Sequence, residues 1–293
     1  MSVVARYRRE LSVAAAYGVV LLILARFAPD FFRADFLRSV AVSNSPTLVA
    51  AVGMTLVILC RQIDISVGSQ VSIGAVVACL LARSGLPTPA VCAATILVGA
   101  AMGAFNGLLV AFAGLPSIVV TLAALVIGRE SLRYLREGAS LSSGFQWFGL
   151  GQATGSWVVI AIAIAVFVVF ALALRYLAIG RAVYATGSDP EAARLAGIRP
   201  RRVVFGTFVI MGALAGLAAL LNAVPLAIVD PNTGGGGFEM KVIAAVVVGG
   251  TAISGGRGRL VGTLLGVALL GTVAPALVFL GVKPEWERAI QGL

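Results

Sequence analysis

Few side chains in this 293-residue chain are equipped for chemistry, and they are not arranged as an active site. Histidine is absent, which removes the usual general base and the commonest metal ligand. Cys60, Cys79 and Cys92 lie in or beside apolar runs, odd in number and without metal-site spacing. They read as small apolar core residues. The stretch GGTAISGGRGRLVG, Gly249–Gly262, invites a phosphate-loop reading. It fails, because no Lys-Ser/Thr pair follows Gly255 where such a loop needs one. There is no nucleophile with a base, no carboxylate dyad on one helix and no Gly-x-Ser-x-Gly elbow. Catalysis, a metal site and a cofactor held by this chain are not expected.

Three polar residues in apolar surroundings remain as candidates for a pathway or gate. Asp64, in RQIDISVG, stands three residues after Arg61 at the edge of an apolar run. It either pairs with Arg61, sits in the headgroup layer, or serves a path through the membrane. Ser66, Gly68, Ser69 and Ser72 after it suit a broken or re-entrant helix. Asn106 lies deep in a glycine-rich run, where it either bonds between helices or lines a path. Glu239 follows a loop from Asp230 with four consecutive glycines and opens the next apolar run with Met240 and Lys241. That loop is either a flexible linker or a structured entry.

The strongest signal is the charged stretch Gly180–Arg202, which ends SDPEAARLAGIRPRR between two long apolar runs. A charged segment in that setting must lie in water. Asp189 suits a helix cap, Pro190 the first helical position, Glu191 the first turn and Gly197 the residue just past the end. Asp189, Pro190, Glu191, Ala192, Ala193, Arg194 and Gly197 thus predict a short amphipathic surface helix, a docking element for a soluble partner.

The elements that position these residues follow from composition. The chain is 60% hydrophobic and 12% charged, against about 25% charged in soluble domains. Such a surplus of apolar residues predicts an all-α, polytopic transmembrane bundle in a single domain over residues 1–293. Nine apolar segments approach the crossing length of about 20 residues: 11–28, 41–60, 64–82, 89–110, 116–135, 156–179, 203–227, 240–256 and 259–282. The chain ends in KPEWERAIQGL, where another apolar run would begin, so a tenth span is expected in the intact protein. The first run follows Arg6, Arg8 and Arg9 without a cleavage site and reads as a retained span.

The net charge of +10 comes from 22 basic and 12 acidic residues. No soluble basic domain carries it, so nucleic acid is not an expected partner. Arginine-rich loops mark the cytoplasmic side, which puts the N-terminus and the 180–202 loop inside. The outside loop 136–155, with Phe145, Trp147 and Phe148, reads as interfacial. Gly99, Gly103 and Gly107, Gly212 with Gly216, and Gly262 with Gly266 fall four apart, and such faces let helix backbones approach closely.

Four stretches in order resemble one family: Gly53–Ser69 (GMTLVILCRQIDISVGS), Gly103–Ala123, Gly180–Ile198 and Gly236–Gly266. The chain resembles a monosaccharide-type ABC transporter permease, of the group that imports ribose, rhamnose and autoinducer-2. The resemblance implies two permease subunits, the same or different, above two nucleotide-binding subunits that hold the ATP. It also implies a periplasmic or lipid-anchored solute-binding protein and a place in the bacterial inner membrane. Asp189, Glu191, Ala192, Ala193 and Gly197 would form the coupling helix. Glu239-Met240-Lys241 looks more like the rhamnose and autoinducer-2 branch, whereas Gly128-Arg129-Glu130 departs from the family's aromatic-Arg-Gly.

Two other readings share the features. A branched-chain amino-acid ABC permease would have a similar docking loop. An ion-coupled carrier would use Asp64 and Glu130. Under the importer reading, a bulky residue at Ala193 or Gly197 is expected to uncouple transport while leaving the fold intact, as read by solute uptake.

Overall fold

The computed structural model describes residues 8–135, 141–142, 152–223, 228–229 and 237–279. Apolar runs punctuated by glycine, proline and charge fold there as eleven α-helices, with a short 3-10 helix, Pro29–Phe32, between the first two. In chain order they are α1 (Arg8–Phe27), α2 (Ala34–Leu59), α3 (Val67–Arg83), α4 (Thr88–Ala111), α5 (Ser117–Leu135) and α6 (Gln152–Tyr176). Then come α7 (Ala178–Ser188), α8 (Pro190–Leu195), α9 (Pro200–Asn222), α10 (Phe238–Val248) and α11 (Leu260–Phe279). A two-residue antiparallel pair, β1 (Leu141–Ser142) with β2 (Ile228–Val229), ties two connecting segments together.

Each expected segment falls on a helix, but among the described residues only six helices are long and apolar enough to cross a membrane: α1, α2, α4, α6, α9 and α11. Nine spans, and a tenth beyond them, are therefore not shown. The reasons are local. α3 is 17 residues long, because Gln62–Ser66 leave the helix. α5 carries Arg129, Glu130 and Arg133 in its second half. α10 has 11 residues between glycine-rich segments. The aromatics Phe145, Trp147 and Phe148, the glycines 234–236 and the C-terminal KPEWERAIQGL lie outside the described residues.

α2 is the axis of the bundle, with 83% of its apolar window buried against 17% for α6 and 11% for α1. α6 and α1 thus present apolar side chains outward, as lipid-facing helices do. Around α2 pack α9, α6, α11 and α10.

The tightest pair is α4 with α9. A Cβ added at Gly99 would overlap the Gly212 carbonyl oxygen, and one at Gly103 the Phe208 carbonyl oxygen. Gly212 meets Gly99 in return, and Gly216 meets Thr95. The four-residue glycine spacing therefore serves helix packing inside the subunit, where backbone approach substitutes for the missing hydrophobic drive. Gly262 and Gly266 do the same for α11, against Gly249 and Ala245 beside α10.

Gly103→Leu should force these backbones apart and lower stability by about 3 kcal/mol, the upper end for overpacking. Gly206→Ala, in α9 with open space around its Cβ position, should instead stabilise by up to about 1 kcal/mol. Thermal unfolding of the two variants in detergent checks the contrast.

Candidate functional site

The sequence placed a short helix at Asp189–Gly197, and α8 is that helix. Asp189 caps it, its Oδ1 accepting from the backbone N–H of Glu191 at 2.9 Å and of Ala192 at 3.1 Å. The other end closes with two return bonds, Gly197 N–H to the Arg194 carbonyl and Ile198 N–H to the Ala193 carbonyl, both 3.0 Å. This arrangement needs a left-handed residue, and Gly197 has φ 82°. Glu191 and Arg194 pair across one turn at 2.9 Å, both exposed. Six residues would not hold a helix in water alone; the two caps and one buried anchor, Ala193, do. Leu195 is 85% exposed, an apolar side chain held out into solvent.

Behind α8 three distant segments meet. α7 ends at Gly187–Ser188, directly before Asp189. The guanidinium of Arg61, just past α2, donates from Nε to the Gly187 carbonyl at 2.6 Å and from Nη2 to the Ser188 carbonyl. The glycine-rich segment after α10 closes over the same place. Gly256 N–H donates to the Leu59 carbonyl at 2.9 Å, and Tyr184 Oη to the Gly258 carbonyl at 2.8 Å. Burial pushes the Tyr184 phenol up, so it stays a proton donor. A Cβ at Gly187 would overlap Leu59, and one at Gly256 would overlap Ser188. GGTAISGGRGRLVG is thus a backbone packing surface. The sequence showed only its unfitness for phosphate.

Asp64 does not meet Arg61. It is fully buried in the break between α2 and α3, where its Oδ1 accepts from the backbone N–H and hydroxyl of Ser66. Gln70 Nε2 donates to Asp64 Oδ2 at 3.1 Å and to Ser66 Oγ at 2.7 Å. Asn106 Nδ2 reaches the same hydroxyl at 2.8 Å. Asp64 and Asn106, forty-two positions apart, are therefore members of one knot, with Asn106 making the bond between helices. Two α5 hydroxyls complete it: Ser117 accepts from Ile63 N–H at 3.2 Å and Thr121 from Ile65 N–H at 3.1 Å. Ser117, Thr121 and Gln70 had no signal in the sequence, because hydroxyls and amides in apolar runs acquire meaning only from their neighbours. The Gln70 Oε1 is buried with no hydrogen-bond partner among the described residues.

Glu239 lies in a second cluster. It is buried at the start of α10 and pairs with Arg129 of α5 at 2.8 Å. Both helices pack on α3, and the pair bridges them. Lys241, half-buried, donates to Asn44 Oδ1 on α2 at 3.2 Å, and Asn44 donates to the Gly271 carbonyl of α11 at 3.2 Å. Two stretches read separately in the sequence, Gly128-Arg129-Glu130 and Glu239-Met240-Lys241, thus meet through Arg129 and Glu239. Glu130 is spent differently, on an exposed pair with Arg133 at 3.0 Å. No cluster of three metal-ligating side chains occurs among the described residues.

A helical bundle with six helices long and apolar enough to cross a membrane among the described residues is that of a multi-pass membrane protein. The family described as "Branched-chain amino acid transport system / permease component" matches residues 36–293. The chain is 33% identical to the ribose import permease protein RbsC of Escherichia coli (strain K12), over 94% of this chain and 88% of that one. It is 34% identical to the autoinducer 2 import system permease protein LsrC of Salmonella typhi, over 97% and 83%. It is 35% identical to the probable ABC transporter permease protein YphD of Escherichia coli (strain K12), over 99% and 88%. The chain therefore belongs to this permease family, among the monosaccharide-type ABC permeases. No solved structure matches it.

Removing the Glu239 charge should destabilise the protein measurably. A fully buried pair loses about 3–5 kcal/mol when one partner goes, and the 27% exposure of Arg129 reduces this to about 2 kcal/mol for Glu239→Gln. The charge-swapped double variant Arg129→Glu with Glu239→Arg should recover part of that loss in the same unfolding assay.

Proposed function

We propose that this chain is the membrane-spanning subunit of an ATP-driven importer for a sugar-type solute in the bacterial inner membrane. The observation that carries the reading is α8. A six-residue helix is capped at both ends, anchored through one alanine, and turns Glu191, Ala192, Arg194 and Leu195 outward. Holding Leu195 in water has no use to the isolated chain, and apolar exposure on a charged, rigid element fits a protein partner. The partner is a nucleotide-binding subunit, which holds the ATP. Its closure would push α8 and switch the pathway between two openings. A second permease subunit and a solute-binding protein would complete the assembly, as membership of the permease family implies.

The solute is a small polyhydroxylated molecule, the chemistry shared by the ribose named for one relative and the sugar-derived group of the resemblance. Asp64 and Asn106 would set the inner course of the pathway by fixing the start of α3. Glu239, with Arg129, would act as a gate between α5 and α10. Arg129 stands about 18 Å along α5 from Ser117, well within a hydrocarbon thickness of about 30 Å. Ionisable residues at such depth generally face a bundle interior or a water-filled path.

The amino-acid and ion-coupled readings are not favoured. The named relatives are ribose and autoinducer 2 import permeases, and Glu130, the second acid the ion-coupled reading needs, is exposed in its pair with Arg133.

Affinity purification from the native membrane should bring down an ATPase subunit with ATP-hydrolysing activity. Leu195→Asp should reduce its recovery roughly tenfold without lowering the unfolding temperature, since Leu195 makes little contact with its own chain. A pure, stable protein without an ATPase partner would refute the reading.

A further inference from the structure

The end of α2 breaks a local rule. Arg61 N–H bonds back to the Ile58 carbonyl at 2.9 Å and Gln62 N–H to the Val57 carbonyl at 3.1 Å, the double return bond of a helix C-cap. The residue between must be left-handed, and glycine normally supplies it, as Gly197 does for α8. Here it is an arginine with φ 63°, the one non-glycine residue of positive φ among the described residues. Where a sequence departs from local preference without a packing gain, function is the usual reason.

The side chain shows what that position is used for. The Arg61 guanidinium holds the carbonyls of Gly187 and Ser188, the last two residues of α7 and the last before the α8 cap. Those carbonyls carry the negative end of the α7 dipole, and a planar guanidinium donates to both at once. On its other side, the Arg61 backbone leads into the break before α3, which ends in the Asp64, Ser66, Gln70 and Asn106 knot. Only Gln62 and Ile63 separate the arginine from Asp64. Gly255 lies against the Arg61 side chain and Gly256 against Leu59, so the junction is closed on a third side.

We propose that Arg61 is the positioning residue that carries movement of α8 into α3. It rests on the reading that α8 docks an ATPase. The bonds run from α8 through Ser188 and Gly187 to Arg61, then along a braced backbone to Asp64 and into the first turn of α3. No flexible linker intervenes. α3 in turn lies under Arg129 and Glu239, since Gly128 of α5 packs on its Ser69 and α10 rests on it as well. A displacement at the cytosolic helix therefore reaches the discontinuous helix within the membrane.

Arg61→Gly separates this role from a merely structural one, because glycine suits the left-handed backbone and removes the side chain that reaches α7. The complex purified with its ATPase is used, in a background of Cys60→Ala, Cys79→Ala and Cys92→Ala, with Ile73→Cys on α3 as reporter. The labelling rate of that cysteine by N-ethylmaleimide is compared before and after trapping with ATP and orthovanadate. With Arg61 present, trapping should change the rate roughly tenfold. In Arg61→Gly the unfolding temperature and the bound ATPase should be kept while the change is lost, and Arg61→Lys, with a cation that cannot span both carbonyls, should respond in between. An unaltered response in Arg61→Gly would overturn the proposal. So would loss of the ATPase from that variant, which would make Arg61 a docking residue, or a reporter that does not respond with Arg61 present. Absence of any ATPase with Arg61 intact would instead refute the proposed function on which it rests.

Discussion

A chain can leave helical geometry inside a membrane protein only if the freed backbone groups find partners in the protein itself. The segment from Cys60 to Ser66 is governed by that constraint, and much of the bundle is arranged around it. Arg61 and Gln62 bond back to α2, Ile63 and Ile65 donate to hydroxyls of α5, and Ser66 donates to Asp64. The freed Leu59 carbonyl takes the Gly256 N–H. One break thus fixes α5, the α10–α11 connection and, through Asn106, α4 relative to α2 and α3.

The same constraint explains how the buried ionisable side chains are tolerated. Asp64 has no ion-pair partner among the described residues; it is held by N–H and O–H donors from Ser66 and Gln70. Glu239 has a cation, Arg129, which remains partly exposed. Leaving either carboxylate without its donors would be far more costly than in water.

Rigidity and discontinuity are divided between different helices. α4 and α9 are locked by glycines in backbone contact, and α2 is buried along most of its length. α3 and α10 are short, each beginning or ending at an irregular segment, and each carries a member of the polar clusters. α8 stands outside on its two caps. A framework that resists deformation with short helices set into it is the arrangement in which a small shift at one end is relayed and not absorbed.

The sequence alone determined the class of molecule. An apolar excess and arginine-bearing loops require a polytopic helical protein, and cap chemistry at Asp189 and Gly197 is local, so α8 was legible to the residue. The glycine spacings were legible as packing faces for the same reason, since a period of four depends on nothing outside its own helix. Only the tertiary structure decided which helices are too short or too charged to cross unaided, because length in space depends on where the chain breaks. It also decided that Arg61 bonds to α7 and not to Asp64, that Asp64 and Asn106 share a hydroxyl, and that Arg129 faces Glu239. Those pairings span from 40 to more than 120 residues, and side chains so far apart in sequence find each other through the packing of whole helices, for which no local pattern codes.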